Sequence, residues 1–456
     1  MKQILLIFLA ILLKNATISA QNNPIVSSWL QNTTVKGRHY VKGNSTPIQD
    51  TDLANVQKVQ YSATSVYINT NGIPSYITGP FQDGNPSLAT GQSAIFKFPL
   101  TPLKNTGTLK STTGGNIGIF INGVALFDYR DGVAWNSTTN SLCGGPGNPP
   151  CPGGMGTVQP WNRDAILAER KGFDCAKGHP AMGNYHHHQN PSAFKLDKTV
   201  LSTVCDLYSA DGLYVIDAVK HSPLIGFAYD GFPIYGAYGF KNTDGTGGIS
   251  RIKSSYSLRN ITKRTTSPTG ATVSAGPDVN ATYPIGYFRE DYEFTTNTAA
   301  DFLDEHNGRF CVTPEYPKGT YAYFCTVDDN WNSTYPYCVG PTFYGQYTAS
   351  KVTAINETTS VFVPVVATNE HFLQNVEISI YPNPTSDLVA IQIPNVLQKD
   401  LSLDLYDFNG RLMQSTFLYQ GSTIAFFDTR TFYNGMYFIK ITSEKEVLTK
   451  KVEILK

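Results

Sequence analysis

Four of the chain's eight histidines stand within ten residues, in the segment GHPAMGNYHHHQNP: His179, then the unbroken run His186, His187 and His188. Neutral imidazole is a ligand for zinc, copper, iron and nickel, with geometry and availability selecting among them. If Tyr185 to His188 is extended, side chains alternate, so His186 and His188 share one face while Tyr185 and His187 share the other. Two imidazoles at i and i+2 on a strand can hold one ion. His179, returning through the turn at Pro180 to Gly183, is a third candidate ligand. The cofactor expected on this reading is a divalent transition metal, copper or zinc. The same residues have a competing use as a buried hydrogen-bonded network of His and Tyr that orders a loop-rich core without any ion.

A site of this kind also calls for oxygen ligands or acid–base groups. Asp174 beside Cys175, Asp230 in AYDGFPIYG, and Asp304 and Glu305 before His306 are the candidates, with Asp230, Glu305 and Asp304 as candidate catalytic residues. Ordinary structural duty is open to several: Asp230 before Gly231 as a turn residue, Asp304 as a loop or cap residue, His39 and His221 as surface or satisfied core histidines. There is no G-x-S-x-G elbow and no H-E-x-x-H helix, and no nucleotide cofactor is expected. Asp291, Glu293, Asp304 and Glu305 could supply paired acids for glycoside hydrolysis, a reading that depends on a carboxylate separation the sequence does not give.

The elements that must position these residues are mostly strands. Of the 456 residues, 39 are Gly and 27 Pro, and only 15% are charged, which favours turns and strands over long helices. From Asn22 to Tyr347, short apolar or alternating runs such as VQYSATSVYINT and IGIFINGVALFDY are divided by Asn-Gly, Asp-Gly and Gly-Pro turns. One helix is expected at Asn162 to Lys171, with Asn162 as its cap, leading directly into the histidine region. Lys plus Arg equals Asp plus Glu at 35 each, so no global field draws nucleic acid or an anionic membrane. The fold class is mainly β: a large β-rich, disulfide-containing domain with a short helix, plus a small C-terminal Ig-like β-sandwich.

Residues 1–20 read as a signal peptide, with Lys2, the apolar run Ile4 to Leu13, and Ser19-Ala20 before Gln21. No later segment approaches the length of a membrane helix, so the mature form is expected to have none. All seven cysteines lie in the middle of the chain, which in an exported protein points to disulfides. The CGGPGNPPC spacing suggests Cys143 with Cys151, and Cys175 with Cys205 is the next choice. Among Cys311, Cys325 and Cys338 one is left over, and the sequence does not say which. Residues 351–375, rich in Thr, Val and Asn, read as a linker with some strand character.

Residues 376–456 alternate with period two. Tyr381-Pro382-Asn383-Pro384, Asp407-Phe408-Asn409-Gly410, Gly435-Met436-Tyr437-Phe438 and a Lys-rich last strand follow in an order that resembles the type A sorting domain of the type IX secretion system. The resemblance implies a Bacteroidota-like source, handling by the type IX machinery, and removal of the module with release or outer-membrane surface attachment. The protein is expected outside the cell or on its surface.

The large domain, residues 22–347, resembles the YHYH domain family, through GHPAMGNYHHHQNP, PLIGFAYDGFPIYG and LDEHNGRFCVTPEYPKGTYAYF, and upstream through NGIPSYITGPF, GIFINGVALF and WNRDA. His186 and His188 match the two motif histidines and Tyr185 the first motif Tyr, but His187 stands where the second Tyr is expected. His306 stands where a Cys is expected, and with that Cys absent, Cys311 and Cys325 become a candidate pair across the hairpin at Pro317 to Gly319. The resemblance carries no settled activity and leaves open whether the protein is an enzyme. Two functions remain: a secreted protein with a histidine-rich metal site at His179, His186 and His188, or a surface binding protein whose Tyr and Phe side chains in YDGFPIYGAY and GTYAYF form a platform, the histidines being structural.

Overall fold

A computed structural model describes residues 23–81, 88–154, 157–208, 212–347, 350–364, 373, 376–394, 400–443 and 446–456; the expected signal peptide lies outside them. The chain is mainly β with two short helices among the described residues, α1 (Pro24–Ser27) and α2 (Ala165–Glu169). Strands β1 (Val56–Tyr61), β2 (Ser65–Thr70), β3 (Ala94–Pro99), β4 (Asn116–Phe120), β5 (Ala125–Phe127), β6 (His179–Ala181), β7 (Asn184–His187), β8 (Leu224–Ala228), β9 (Pro233–Tyr235), β10 (Gly308–Cys311) and β11 (Thr320–Phe324) make up most of the large domain's two main sheets.

The larger sheet has eight strands in the order β6-β7-β5-β4-β8-β9-β11-β10. A five-stranded sheet is completed by β12 (Ser350–Val352) and β13 (Ser360–Phe362), in the order β12-β3-β2-β1-β13. Thus the first part of the 351–375 segment supplies two edge strands to the large domain. Val59, Ile68, Phe96 and Phe98 of one sheet share a buried core with Ile119, Leu126, Phe227, Ile234 and Tyr323 of the other, as facing sheets do.

The expected helix is shorter than its pattern. Asn162 lies in a strand, where its backbone N–H and side-chain amide donate to Glu290 at 2.7 and 2.8 Å. Asp164 is the cap instead, accepting from the backbone of Ile166 at 2.8 Å and Leu167 at 3.3 Å.

Among the described residues the C-terminal module has seven strands: β14 (Ser379–Tyr381), β15 (Leu388–Gln392), β16 (Leu401–Asp407), β17 (Leu412–Leu418), β18 (Ile424–Asp428), β19 (Gly435–Thr442) and β20 (Val447–Ile454). They form two sheets, β14-β15-β18 and β17-β16-β19-β20, around Val389, Ile391, Leu403, Leu405, Phe427, Ile439 and Val452. The module does not stand off from the large domain. Tyr381, Leu388, Ala390 and Ile424, on the other face of the smaller sheet, share a buried cluster with Leu196 and Val215. Polar contacts ring it: the Asn55 amide donates to the Gly421 carbonyl at 2.9 Å, Lys195 meets Asp428 at 3.2 Å, and the Arg38 guanidinium lies 4.0 Å from the Tyr419 ring centre.

Cys143–Cys151 and Cys175–Cys205 are disulfides. The Cys311–Cys325 pairing is corrected: both are free thiols, and the sulfur near Cys325 is that of Cys338, at 3.0 Å. Cys311 ends β10 opposite Thr320, so the hairpin register gives it no sulfur partner.

Candidate metal centre

The histidine cluster is built by a tight hairpin at the edge of the eight-stranded sheet. Met182 and Gly183, both at positive φ (49° and 82°), join β6 to β7 in the two-residue form whose twist matches antiparallel strands. The register sets His179 directly opposite His186, so the two side chains emerge on one face. Pro180, which has no N–H to give, sits on the outermost strand where none is required. On its other side β7 pairs with β5, His186 opposite Ala125. His188 follows immediately.

Ligand atoms of His179, His186 and His188 lie within 4.8 Å of one another, and all three residues are buried. His186 donates from Nδ1 to the Asn184 carbonyl at 2.9 Å, and His188 from Nδ1 to the Asp128 carbonyl at 2.6 Å. These bonds assign the tautomer, leaving each Nε2 with a lone pair. The two Nε2 atoms then face one another at 3.1 Å. Phe127 stacks on His186 at 3.8 Å, and the Phe173 ring meets His179 edge-on at 4.8 Å, which fixes the ring orientations.

Glu169 lies beside this group, and sequence reasoning missed it. From the end of α2 its Oε2 lies 3.3 Å from His179 Nε2 and 3.4 Å from His188 Nε2. Burial would raise its pKa, but the His179 hydrogen bond and the His188 and His179 rings outweigh that and hold the carboxylate below its ordinary value. Burial, with His188 and His179 adding to it, pushes His186 well below the usual imidazole range. His188 is also lowered by burial, against the opposing pull of Glu169. Both are therefore neutral at neutral pH, the form that binds metal. The one signal in the sequence was the position of Glu169, at the end of the expected helix ten residues before His179.

The motif residues on the opposite face are hydrogen-bonded into the interior. His187 donates from Nδ1 to the Lys177 carbonyl at 3.1 Å, and its Nε2 meets the Tyr76 hydroxyl at 2.7 Å. The Tyr185 hydroxyl donates to Asp174 at 2.8 Å. Asp174 also accepts from the backbone of Gly79 at 2.9 Å and Gly178 at 3.0 Å, and burial pushes its pKa up to about 7. A Cβ at Gly178 would lie 2.4 Å from the Tyr185 oxygen, so only glycine allows this closure of the loop before His179. Asp174 shapes the centre without joining it.

The other acidic candidates lie elsewhere. Asp230, in the turn from β8 to β9 and three strands from β7, accepts from the Tyr323 hydroxyl at 2.6 Å and the Gly345 backbone at 2.8 Å. Asp304 accepts from the Tyr321 hydroxyl at 2.8 Å and from the His306 backbone at 2.9 Å, and precedes β10, at the opposite edge of the sheet. At ~4.8 Å per strand that is on the order of 30 Å away. Glu305 is exposed; its carboxylate lies 3.7 Å from its neighbour His306 and its carbonyl accepts from the Tyr256 hydroxyl at 2.8 Å. Asp291 is bound to Arg264 in a buried ion pair at 2.7 Å, which removes it from the acids available to a glycosidase. The aromatic platform is corrected as well: Tyr229, Phe232, Tyr235, Tyr238, Tyr321, Tyr323 and Phe324 are all buried, because their rings fill the core between the sheets.

A family model described as YHYH protein matches residues 95–338. A secretion system C-terminal sorting domain matches residues 379–455, which directs the protein through the type IX machinery to the cell surface or extracellular space. No curated protein matches the chain. Among the described residues no helix is long and apolar enough to cross a membrane.

Proposed function

For a chain that belongs to the YHYH protein family, we propose a role outside the cell built on one transition-metal ion held by His179, His186 and His188, with Glu169 beside it. One observation carries this reading: the Nε2 lone pairs of His186 and His188 face each other, because the Nδ1–H of each ring is already given to a backbone carbonyl. The Nε2 atoms of His186 and His188 face each other at 3.1 Å, and Glu169 Oε2 lies 3.4 Å from the second of them. Without a cation the arrangement buries mutually repelling lone pairs; with one, each contact becomes attractive.

Zinc and copper suit three neutral imidazoles and a carboxylate. The ion would supply Lewis acidity. Glu169, whose side chain is 23% exposed against 7% for His179 and 3% for His188, is on the solvent side, where it either completes the coordination or carries a proton. Such deep burial of the imidazoles supports retention of the ion over rapid exchange. Export would use Lys2 and the apolar run Ile4 to Leu13 at the inner membrane of a Bacteroidota-like envelope, then residues 376–456 at the outer one. The module is then removed, with release or surface attachment.

Elemental mass spectrometry of the full chain, purified without a His tag, tests the reading against the His186→Ala/His188→Ala double variant. About one equivalent of zinc or copper in the wild type, lost in a variant of unchanged circular dichroism, is the expected result. Absence of metal from the wild type after both ions have been offered would leave the histidines a structural network.

A further inference from the structure

Cys325 and Cys338 are both buried, with their sulfurs 3.0 Å apart. The backbone on either side is already fixed. The Thr326 N–H donates to the Tyr337 carbonyl at 2.9 Å, and the Asn307 amide donates to the carbonyls of Phe324 at 3.0 Å and Cys338 at 3.1 Å. We propose that these two cysteines close to a third disulfide in the exported protein, leaving Cys311 as the one thiol. The sulfurs need approach by only about 1 Å to reach the ~2.05 Å bond length. The two thiols lose two protons and two electrons as the S–S bond forms. The acceptor is a disulfide of the oxidising compartment, whose own S–S bond breaks to two thiols.

The bond would close the base of the 326–337 loop, and that loop clamps α2 at both ends. The Tyr337 hydroxyl donates to Asp164, the helix cap, at 2.8 Å, and Arg170, just past the helix, donates to the Asn332 side chain at 3.1 Å. The disulfide therefore holds in place the helix that delivers Glu169 to the histidines. Its formation stands independently of the metal reading; only the value of positioning Glu169 rests on that reading.

Full-length protein isolated from an oxidising compartment, alkylated with iodoacetamide in denaturant without reductant and then digested, should carry one label, on Cys311, and yield a linked Cys325–Cys338 peptide. Labels on all three cysteines, or a link through Cys311, would overturn the proposal. For the clamp, metal-free Cys325→Ser/Cys338→Ser protein should exchange the amides of Ala165 to Glu169 at least ~10-fold faster than wild type. If that variant folds poorly, Cys325→Val/Cys338→Val keeps the site apolar and is measured in the same way. Unchanged exchange in the folded variant overturns the clamp and leaves the metal reading untouched.

Discussion

At the residue scale, the question is what a buried carboxylate does beside two lone pairs. Glu169→Gln keeps the shape and removes the charge, so the affinity for zinc or copper should fall roughly 10–100-fold, in the range typical of a coordinating or supporting group. Competition with a chromophoric chelator measures this, and unchanged affinity would reduce Glu169 to a bystander. His221 tests burial away from the centre. Its ring is enclosed by Tyr235, Phe240 and Phe324, and burial lowers its pKa to about 4. A histidine whose folded pKa is depressed contributes stability above the unfolded value near 6.5 and loses it as pH falls toward 4. His221→Phe should therefore flatten the acid limb of the unfolding free energy between those pH values, by at most about 3 kcal/mol, as read from denaturant unfolding at each pH. The common face of His186 and His188 was legible in the sequence because strand alternation is local. Glu169 was not, because nine residues of loop and turn separate it from the first histidine.

At the scale of elements, α2 spans only five residues, too short to persist by its own propensity. It depends on its cap and on the loop that meets it. Asp164→Ala removes the acceptor for Ile166 and Leu167 and leaves the Tyr337 hydroxyl unpaired. A cap is worth about 1 kcal/mol and a buried orphan roughly 1–3 kcal/mol, so a loss of about 2–4 kcal/mol is expected in denaturant unfolding. A loss below about 1 kcal/mol would mean that packing alone holds the helix. The expected boundaries went wrong for a related reason. Asn162 and Asp164 are both residue types that cap helices, and it is Glu290, distant in sequence, that claims Asn162 for a strand.

For the whole molecule, the docked module is the main departure from the expected tethered arrangement. Leu388 to Ile391 is a continuous apolar run in an antiparallel sheet, which requires both faces to be covered. Val389 and Ile391 face the module's own core, Leu388 and Ala390 the large domain. Val215→Asp should separate the two while leaving each core folded. Small-angle scattering would then give a larger radius of gyration, and an unchanged radius would show that the surrounding polar contacts suffice for docking. The sequence alone determined the β-rich class, the two matched regions, the histidine face and the Cys143–Cys151 pair, because alternation, turn chemistry and short spacings act over a few residues. Only the tertiary structure decided that Glu169 joins the histidines, that Cys338 rather than Cys311 meets Cys325, that Asp230 and Asp304 belong to tyrosine networks, and that the module docks. Each of these depends on strand order and packing between distant segments, to which local patterns are blind.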